Sequence, residues 1–528
     1  MRKETLESFV LGDVLRARAD SHRTEPFLKF RDGELSYGDV HVMANRLAQG
    51  LIASGVSKGD HVAVMLPNCP EFVPVIFALA RVGAVAVPVN TAHRGELLRH
   101  VLYSSDATTL IIDGSYVDRM PPAERLPGLG RTIVRNPDSK AAVPLASLLD
   151  HGDDEPRAGV VFSDLQAIMY TSGTTGPSKG AMCSHALALT CAYDSLNFLD
   201  RWGRTIYCPL PLFHAAGLWD GMMSALLSGG ALAVVDRFSA SRFWDDVRYF
   251  DAQVAMSVFS MIPILLGREP TDRDRDHPLE MFYMGKSVLD APLRERFGVR
   301  SVETYTSTEA GIATGSPYGE WRLGSCGTVH DERFHAAVVD EHDREVEPGE
   351  PGELVLRPKQ PFVITSGYYG APEATAETFR NLWFHTGDKV WRDEDGYFYF
   401  LDRMKDSIRR RGENISAFDL ECEVNMHPAI LESAAIGVPS DLEDEDVKLA
   451  VVLRPGTSLD PEELVEFCTE RLPRFMVPRY VEFVDALPRT PTDKVAKYRL
   501  RAEGDHGITS STWDREGDAS PAGQERTA

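Results

Sequence analysis

The stretch Tyr170-Thr171-Ser172-Gly173-Thr174-Thr175-Gly176-Pro177-Ser178-Lys179-Gly180 constrains this chain more than any other feature. Three glycines, five Ser or Thr residues and one lysine take nine of eleven positions directly after the apolar run Ala167-Ile168-Met169. Glycine backbone lets successive N–H groups turn inward into an anion-binding concavity, and hydroxyls and an ammonium add donors. The string therefore reads as a phosphate loop placed at the end of a strand. It is not a Walker loop, because Ser178 rather than Gly precedes Lys179 and Gly180 replaces the Ser or Thr that would hold magnesium. The ordinary alternative, a Gly/Ser/Thr-rich surface turn, suits a shorter or scrambled string.

At 528 residues the chain exceeds one ordinary core, so two or more domains are expected. The net charge of −23 excludes non-specific attraction to nucleic acid or to an anionic membrane surface. Basic groups that meet a nucleotide must then be concentrated locally. Seven cysteines without a CxxC pair indicate neither a zinc site nor a disulfide framework, and they read as buried, inert thiols of a cytoplasmic protein. The most apolar window, 72–89, is broken by Pro74, Arg81 and Pro88 and is not expected to span a membrane.

Apolar runs at 61–66, 84–88, 110–113, 231–236 and 254–259 alternate with helical patterns such as 71–82. That alternation predicts α/β architecture with parallel sheets. From about Phe334 the pattern turns to hairpin-like alternation, as at 336–340 and 353–357. A basic run, 403–412, then introduces an α+β segment in which Asp460-Pro461 starts a helix. Past Arg501 the chain is Gly/Ser/Asp/Glu-rich without periodicity, which predicts a disordered tail.

Four further segments follow the phosphate loop in order. They are Tyr305-Thr306-Ser307-Thr308-Glu309, Trp383-Phe384-His385-Thr386-Gly387-Asp388, Asp402-Arg403-Met404-Lys405-Asp406 and Pro488-Arg489-Thr490-Pro491-Thr492-Asp493-Lys494-Val495-Ala496-Lys497. Together the five resemble the signatures of the acyl-adenylate-forming superfamily, on its acyl-CoA synthetase branch, across roughly residues 10 to 500. The resemblance implies a large N-terminal domain, 1–402, of two parallel-sheet α/β subdomains plus a small β-barrel. A mobile α+β C-terminal domain, 403–503, would follow, with a disordered tail at 504–528. The implied cosubstrates and cofactor are ATP, coenzyme A and Mg2+.

Residue by residue, the resemblance places nucleotide contacts at Thr171, Ser172, Gly173, Thr174, Thr175, Gly176, Lys179, Gly285, Lys286, Tyr305, Thr306, Asp388 and Arg403. Thr308 would contact phosphate and Glu309 would be the magnesium ligand, since a hard cation on triphosphate oxygens takes a carboxylate. Lys494 falls on the adenylation lysine, Lys405 on the hinge, and Gly412 on the passage for the pantetheine arm. An acyl pocket is expected from His214, Trp219, Met222, Phe259, Met284, Gly285, Thr306 and Ile312, a soft lining that suits an aryl, alicyclic or medium-chain acid. His214 stands where amino-acid-activating relatives carry an Asp, so an α-amino acid is disfavoured.

Three positions depart from the pattern: Asp493 and Thr306 stand where glycines are usual, and Gly285-Lys286-Ser287-Val288 replaces the customary adenine-side segment. The implied reaction makes acyl-AMP and pyrophosphate, then a thioester and AMP. A carrier-protein thiol remains open as the acceptor in place of coenzyme A, and a non-catalytic nucleotide-binding homologue is the non-enzyme alternative. The sequence leaves the oligomeric state open, a homodimer among the options.

Overall fold

In the computed structural model the described residues are 6–517, except 139–141, 172–177, 258–260, 318, 404–407, 411–412, 416, 441–444, 473 and 491–494. The chain divides into two compact units: Met1–Ala337 with Val355–His385 and Arg392–Tyr399, and Val338–Leu354 with Thr386–Trp391 and Phe400–Ala528.

Two seven-stranded sheets organise the first unit. One runs in the order Val143–Pro144, Arg131–Arg135, Thr109–Asp113, His61–Met65, Val85–Pro88, Leu165–Thr171, Lys179–Ser184. Its members are parallel up to Leu165–Thr171, and only the last pair is antiparallel. The other runs Arg300–Val302, Met281–Tyr283, Val254–Met256, Thr205–Cys208, Ala231–Val234, Pro26–Phe30, Gly33–Ser36, again parallel except for its last pair. The predicted α/β architecture is therefore present. Strands such as Val85–Pro88 are buried on both faces, as continuous apolar runs require when helices cover a parallel sheet. The helix Phe72–Val82 is buried at all eleven positions and stops at Gly83, whose φ of 77° ends the last turn in the left-handed region.

The phosphate-loop string joins the two antiparallel strands Leu165–Thr171 and Lys179–Ser184. It is a hairpin connection, unlike a Walker loop, which opens directly into a helix. Further along, Tyr305–Ser307, Gly311–Gly315, Gly327–Val329 and Tyr397–Arg403 pair antiparallel in that order. The end strand Tyr305–Ser307 pairs on one side only among the described residues. The expected small barrel is thus an open sheet: closure needs a consistent tilt and stagger around the ring, and three-residue strands supply too few ladder positions for it.

The second unit carries the sheet Ile430–Pro439, Glu445–Leu453, Tyr480–Phe483, Trp513–Asp514, with the helices Ala417–Val424 and Pro461–Arg471. Pro461 opens its helix as expected, although the Asp460 side chain makes no capping bond. The expected tail needs correction over 504–517. Trp513–Asp514 adds an antiparallel strand beside Tyr480 and Val481, and Thr509 and Ser511 hydroxyls donate to Glu482 at 2.5 and 2.6 Å. Low periodicity hid this segment because hydrogen bonds and ion pairs, with only Ile508 and Trp513 packing against the apolar cores, hold it. Residues 518–528 lie outside the described residues. Six cysteines are buried, and burial pushes the Cys69, Cys208 and Cys468 thiols up to about 12, in keeping with inert thiols.

Candidate active site

Thr171 ends one strand of the phosphate hairpin and Lys179 begins the other, directly opposite it in register. Ser172, Gly173, Thr174, Thr175 and Gly176 lie outside the described residues. Glu309 sits in the turn between Tyr305–Ser307 and Gly311–Gly315. Its Oε1 accepts from the Thr171 hydroxyl at 3.2 Å and from the Tyr368 hydroxyl at 3.0 Å. The Lys179 ammonium lies 5.4 Å from the centre of the Tyr368 ring. Tyr368 therefore links the lysine of the loop to the carboxylate, a cation–π contact on its face and a hydrogen bond at its tip. Backbone bonds brace the same corner: Thr365 N–H donates to the Glu309 carbonyl at 2.6 Å, and Ala310 N–H to the Ser307 hydroxyl at 3.1 Å. Thr308 is half-buried beside them, its carbonyl 3.9 Å from the Cys183 sulfur. Burial first, and then the Glu309 charge, push that thiol well above its ordinary range, so it is no nucleophile.

The segment Met284 to Ser287 is held tightly. Met284 has φ +64°, a left-handed conformation that costs a non-glycine residue. Gly285 must be glycine, since a Cβ there would lie 2.3 Å from Ser301 Oγ and 2.8 Å from Ile262 Cδ1. Lys286 donates to Glu303 at 2.7 Å, and Ser287 donates to the other Glu303 oxygen through both N–H and hydroxyl at 2.8 Å. The Lys286 ammonium is thus engaged with a protein carboxylate. Tyr305 is buried, while Thr306 lies across the hairpin from Ile312.

On the acyl side, His214 is half-buried with its ring 4.6 Å from that of Phe213. Two residues on, Ala216–Met223 forms a π-helix, a wider turn found often at functional sites. It carries Trp219 and Met222, both with no exposed surface, and Ile312 is buried as well. The Trp219 indole nitrogen has no hydrogen-bond partner among the described residues. Asp220, on the same π-helix, accepts from Ser195 at 2.8 Å and Cys191 at 3.4 Å, with Tyr283 at 3.5 Å. Burial raises its carboxyl to about 6 against the pull of those donors. Phe259 lies outside the described residues.

Comparison with known proteins places this chain in a family. Residues 15–369 match the model of the AMP-binding enzyme family, and residues 419–494 match the AMP-binding enzyme C-terminal domain. The chain belongs to the AMP-binding enzyme family. Curated relatives include the crotonobetaine/carnitine–CoA ligase of Salmonella arizonae, 32% identical over 483 residues, covering 88% of this chain and 93% of that one. The same-named ligase of Citrobacter koseri is also 32% identical, covering 89% and 93%. Among solved structures, ATP-bound MatB from Rhodopseudomonas palustris superposes with a TM-score of 0.80 at 27% identity, over 93% of this chain and 98% of that one. The anthranilate CoA ligase AuaEII with anthranoyl-AMP reaches 0.86 at 24% identity over 94% and 98%, a likeness of fold.

The remaining expected site residues of this AMP-binding enzyme are in its second unit. Asp388 is buried within the strand Phe384–Arg392 rather than at a turn, where its N–H donates to the Thr386 hydroxyl at 3.1 Å and Gly387 N–H donates to Glu353 at 2.9 Å. Gly387, at φ 71°, supplies the left-handed step. Arg403 ends the strand Tyr397–Arg403, with its side chain undescribed, and Lys405, Gly412 and Lys494 lie outside the described residues. In the basic run, Arg410 is a buried structural cation rather than a solvated one. It pairs with Asp446 at 2.7 Å and donates to the Val477 carbonyl at 2.7 Å. Sequence reasoning missed Tyr368, Glu303 and Asp220. Only a common Gly-Tyr-Tyr string marked the first, and the other two are single acidic residues whose partners come from distant segments. Among the described residues no helix is long and apolar enough to cross a membrane.

Proposed function

We propose that the acid activated by this AMP-forming acyl-CoA ligase is largely apolar and not an α-amino acid, and that the ATP phosphates lie between the phosphate hairpin and Glu309. The observation that carries the phosphate assignment is the linked set Thr171, Glu309, Tyr368 and Lys179, which joins carboxylate, hydroxyls and ammonium at the loop's two stems. In this reading a substrate carboxylate attacks the α-phosphate of ATP, giving acyl-AMP and pyrophosphate. The coenzyme A thiol then attacks the acyl carbon and AMP leaves. Positioning and charge neutralisation do most of the first step.

A magnesium ion fits at Glu309. No cluster of three or more metal-binding side chains occurs among the described residues. A single carboxylate is what magnesium takes when phosphate oxygens and water fill its other positions. When bound, it would neutralise triphosphate charge. Asp388 would accept the ribose hydroxyls, Arg403 would approach the α-phosphate, and Lys494 would follow the charge that moves to pyrophosphate.

Support for an apolar acyl group comes from Trp219, Met222 and Ile312, the apolar and buried members of the expected acyl-pocket set. A second reading, a cationic betaine-type acid, is favoured by the crotonobetaine/carnitine–CoA ligases at 32% identity and by Trp219, whose ring could face a quaternary ammonium. ATP–pyrophosphate exchange decides between them. The panel should include acetate and aryl, alicyclic, medium-chain, trimethylammonium and α-amino acids, and coenzyme A is then added. Strongest exchange with an aryl or medium-chain acid supports the first reading, and strongest exchange with a trimethylammonium acid replaces it by the second. Strongest exchange with acetate or an amino acid removes both.

A further inference from the structure

The helix Gly95–Ser104 bears on the phosphate hairpin through two residues one turn apart. His100 Nε2 lies 2.8 Å from the carbonyl oxygen of Ser178. A carbonyl only accepts, so Nε2 carries the proton and donates. Ser104 spends its own proton on the His100 carbonyl at 2.6 Å, so the Tyr170 hydroxyl donates to Ser104 Oγ at 2.6 Å. The His100 and Tyr170 rings meet edge to face, 6.1 Å apart at 88°. One helical face, positions i and i+4, thereby touches the strand that enters the loop at Tyr170 and the residue that leaves it at Ser178.

The two contacts differ in what they add. Tyr170 already stands in the ladder opposite Gly180, and the last ladder pair before the loop is Thr171 with Lys179. Ser178 lies beyond that pair, on the loop side. Among the described residues its carbonyl is held by His100. The next residue is Lys179, whose ammonium rests on Tyr368, which in turn bonds Glu309. The peptide that sets the direction of Lys179 is thus the peptide whose carbonyl His100 holds.

We propose that His100 is a positioning residue for the ATP phosphates: by fixing the Ser178 carbonyl it sets the exit of the phosphate loop and the direction of Lys179. This rests on the phosphate-loop reading above. It carries a particular kinetic signature, because a loop that holds the phosphates leaving as pyrophosphate has nothing of them to hold in acyl-AMP. The effect should therefore fall on adenylation and spare thioester formation from supplied acyl-AMP.

The test uses the full chain with His100→Ala, His100→Gln and, as a loop control, Thr174→Ala. Steady-state KM for MgATP and the rate of thioester formation from supplied acyl-AMP and coenzyme A are both measured. His100→Ala is expected to raise KM for MgATP about tenfold, the scale of leaving one partly buried carbonyl unbonded. Thioester formation should stay within about twofold, again well under one buried hydrogen bond. Gln keeps a donor at similar reach, so His100→Gln should restore most of the ATP affinity. If Thr174→Ala raises KM and His100→Ala does not, the positioning role is overturned while the loop reading stands. If neither moves it, the phosphate-loop reading itself falls. Equal loss in both half-reactions, without rescue by Gln, would reduce His100 to a general structural contact and also overturn the proposal.

Discussion

At the scale of single residues, the site is set by how each charge is compensated. Glu309 keeps both described hydrogen bonds on Oε1. Glu309→Gln preserves shape and offers a hard cation a poorer ligand, so adenylation should fall by about ten- to a hundredfold and require more magnesium. A magnesium titration of pyrophosphate exchange checks this, and an unchanged curve would remove Glu309 from the metal. Asp220 behaves differently, as a buried acid whose carboxyl is raised to about 6 from 3.8. The folded state then binds a proton that the unfolded chain releases near pH 4. Its stabilising contribution is complete below about pH 4 and is lost as pH rises through 6. Asp220→Asn should flatten that part of the profile of thermal midpoint against pH between 4 and 7. The carboxylates of the motifs were legible because each stands in a short string, Thr308-Glu309 or Thr386-Gly387-Asp388, that marks it without its distant partners. Asp220 was not, since its donors Ser195, Cys191 and Tyr283 come from a helix and a strand elsewhere in the chain.

At the scale of elements, the phosphate hairpin and the open sheet show which local signals survive folding. Apolar runs at 61–66 and 84–88 became strands because burial on both faces leaves no other use for consecutive Val, Ala and Met. Sheet closure carries no such local signature, and the strand pattern after Tyr305 suited a barrel and an open sheet equally well. The hinge assignment at Lys405 belongs to this scale too. A hinge works by changing backbone dihedrals, and proline locks φ near −65°. Lys405→Pro should leave adenylation within about threefold while thioester yield per adenylate falls more than tenfold, the pattern of a blocked conformational step. Single-turnover measurement of acyl-AMP and acyl-CoA separates the two, and wild-type thioester yield would exclude Lys405 as the hinge.

At the scale of the whole molecule, the second unit is bound to a segment that composition marked as a disordered tail. Lys448 and Glu482, both buried, pair with each other, and Lys448 also donates to the Gly507 carbonyl. Thr509, Ser511 and Thr512 complete the shell around Glu482, while Arg479 bridges Asp446 and Asp514. Deleting 504–528 should cost about 2–4 kcal/mol, the loss of a few charge-assisted hydrogen bonds. Urea unfolding of the truncated chain measures it, and an unchanged midpoint would show that the segment is only appended. Glu482 also predicts acid sensitivity. Burial would raise its carboxyl, but bonds from Lys448, Ser511 and Thr509 outweigh burial and hold it at about 2, below 4.5. That stability is present above about pH 4.5 and is lost as pH falls toward 2. This is the opposite sign to Asp220, so Glu482→Gln should remove part of the acid-side loss of stability while Asp220→Asn should not.

What the sequence alone determined is the chemistry that lies in consecutive residues. The glycines and hydroxyls of 171–176, the Thr308-Glu309 turn and the alternation of strands and helices marked a nucleotide-using α/β enzyme, because loop composition and hydrophobic period are local properties. Tertiary structure decided what depends on distance in space. It brought Tyr368 onto Glu309 across 59 positions and His100 onto Ser178 across 78, turned Lys286 toward Glu303, and folded 504–517 against the second unit's sheet. Those contacts arise from packing between segments far apart along the chain, and no window of sequence contains both partners.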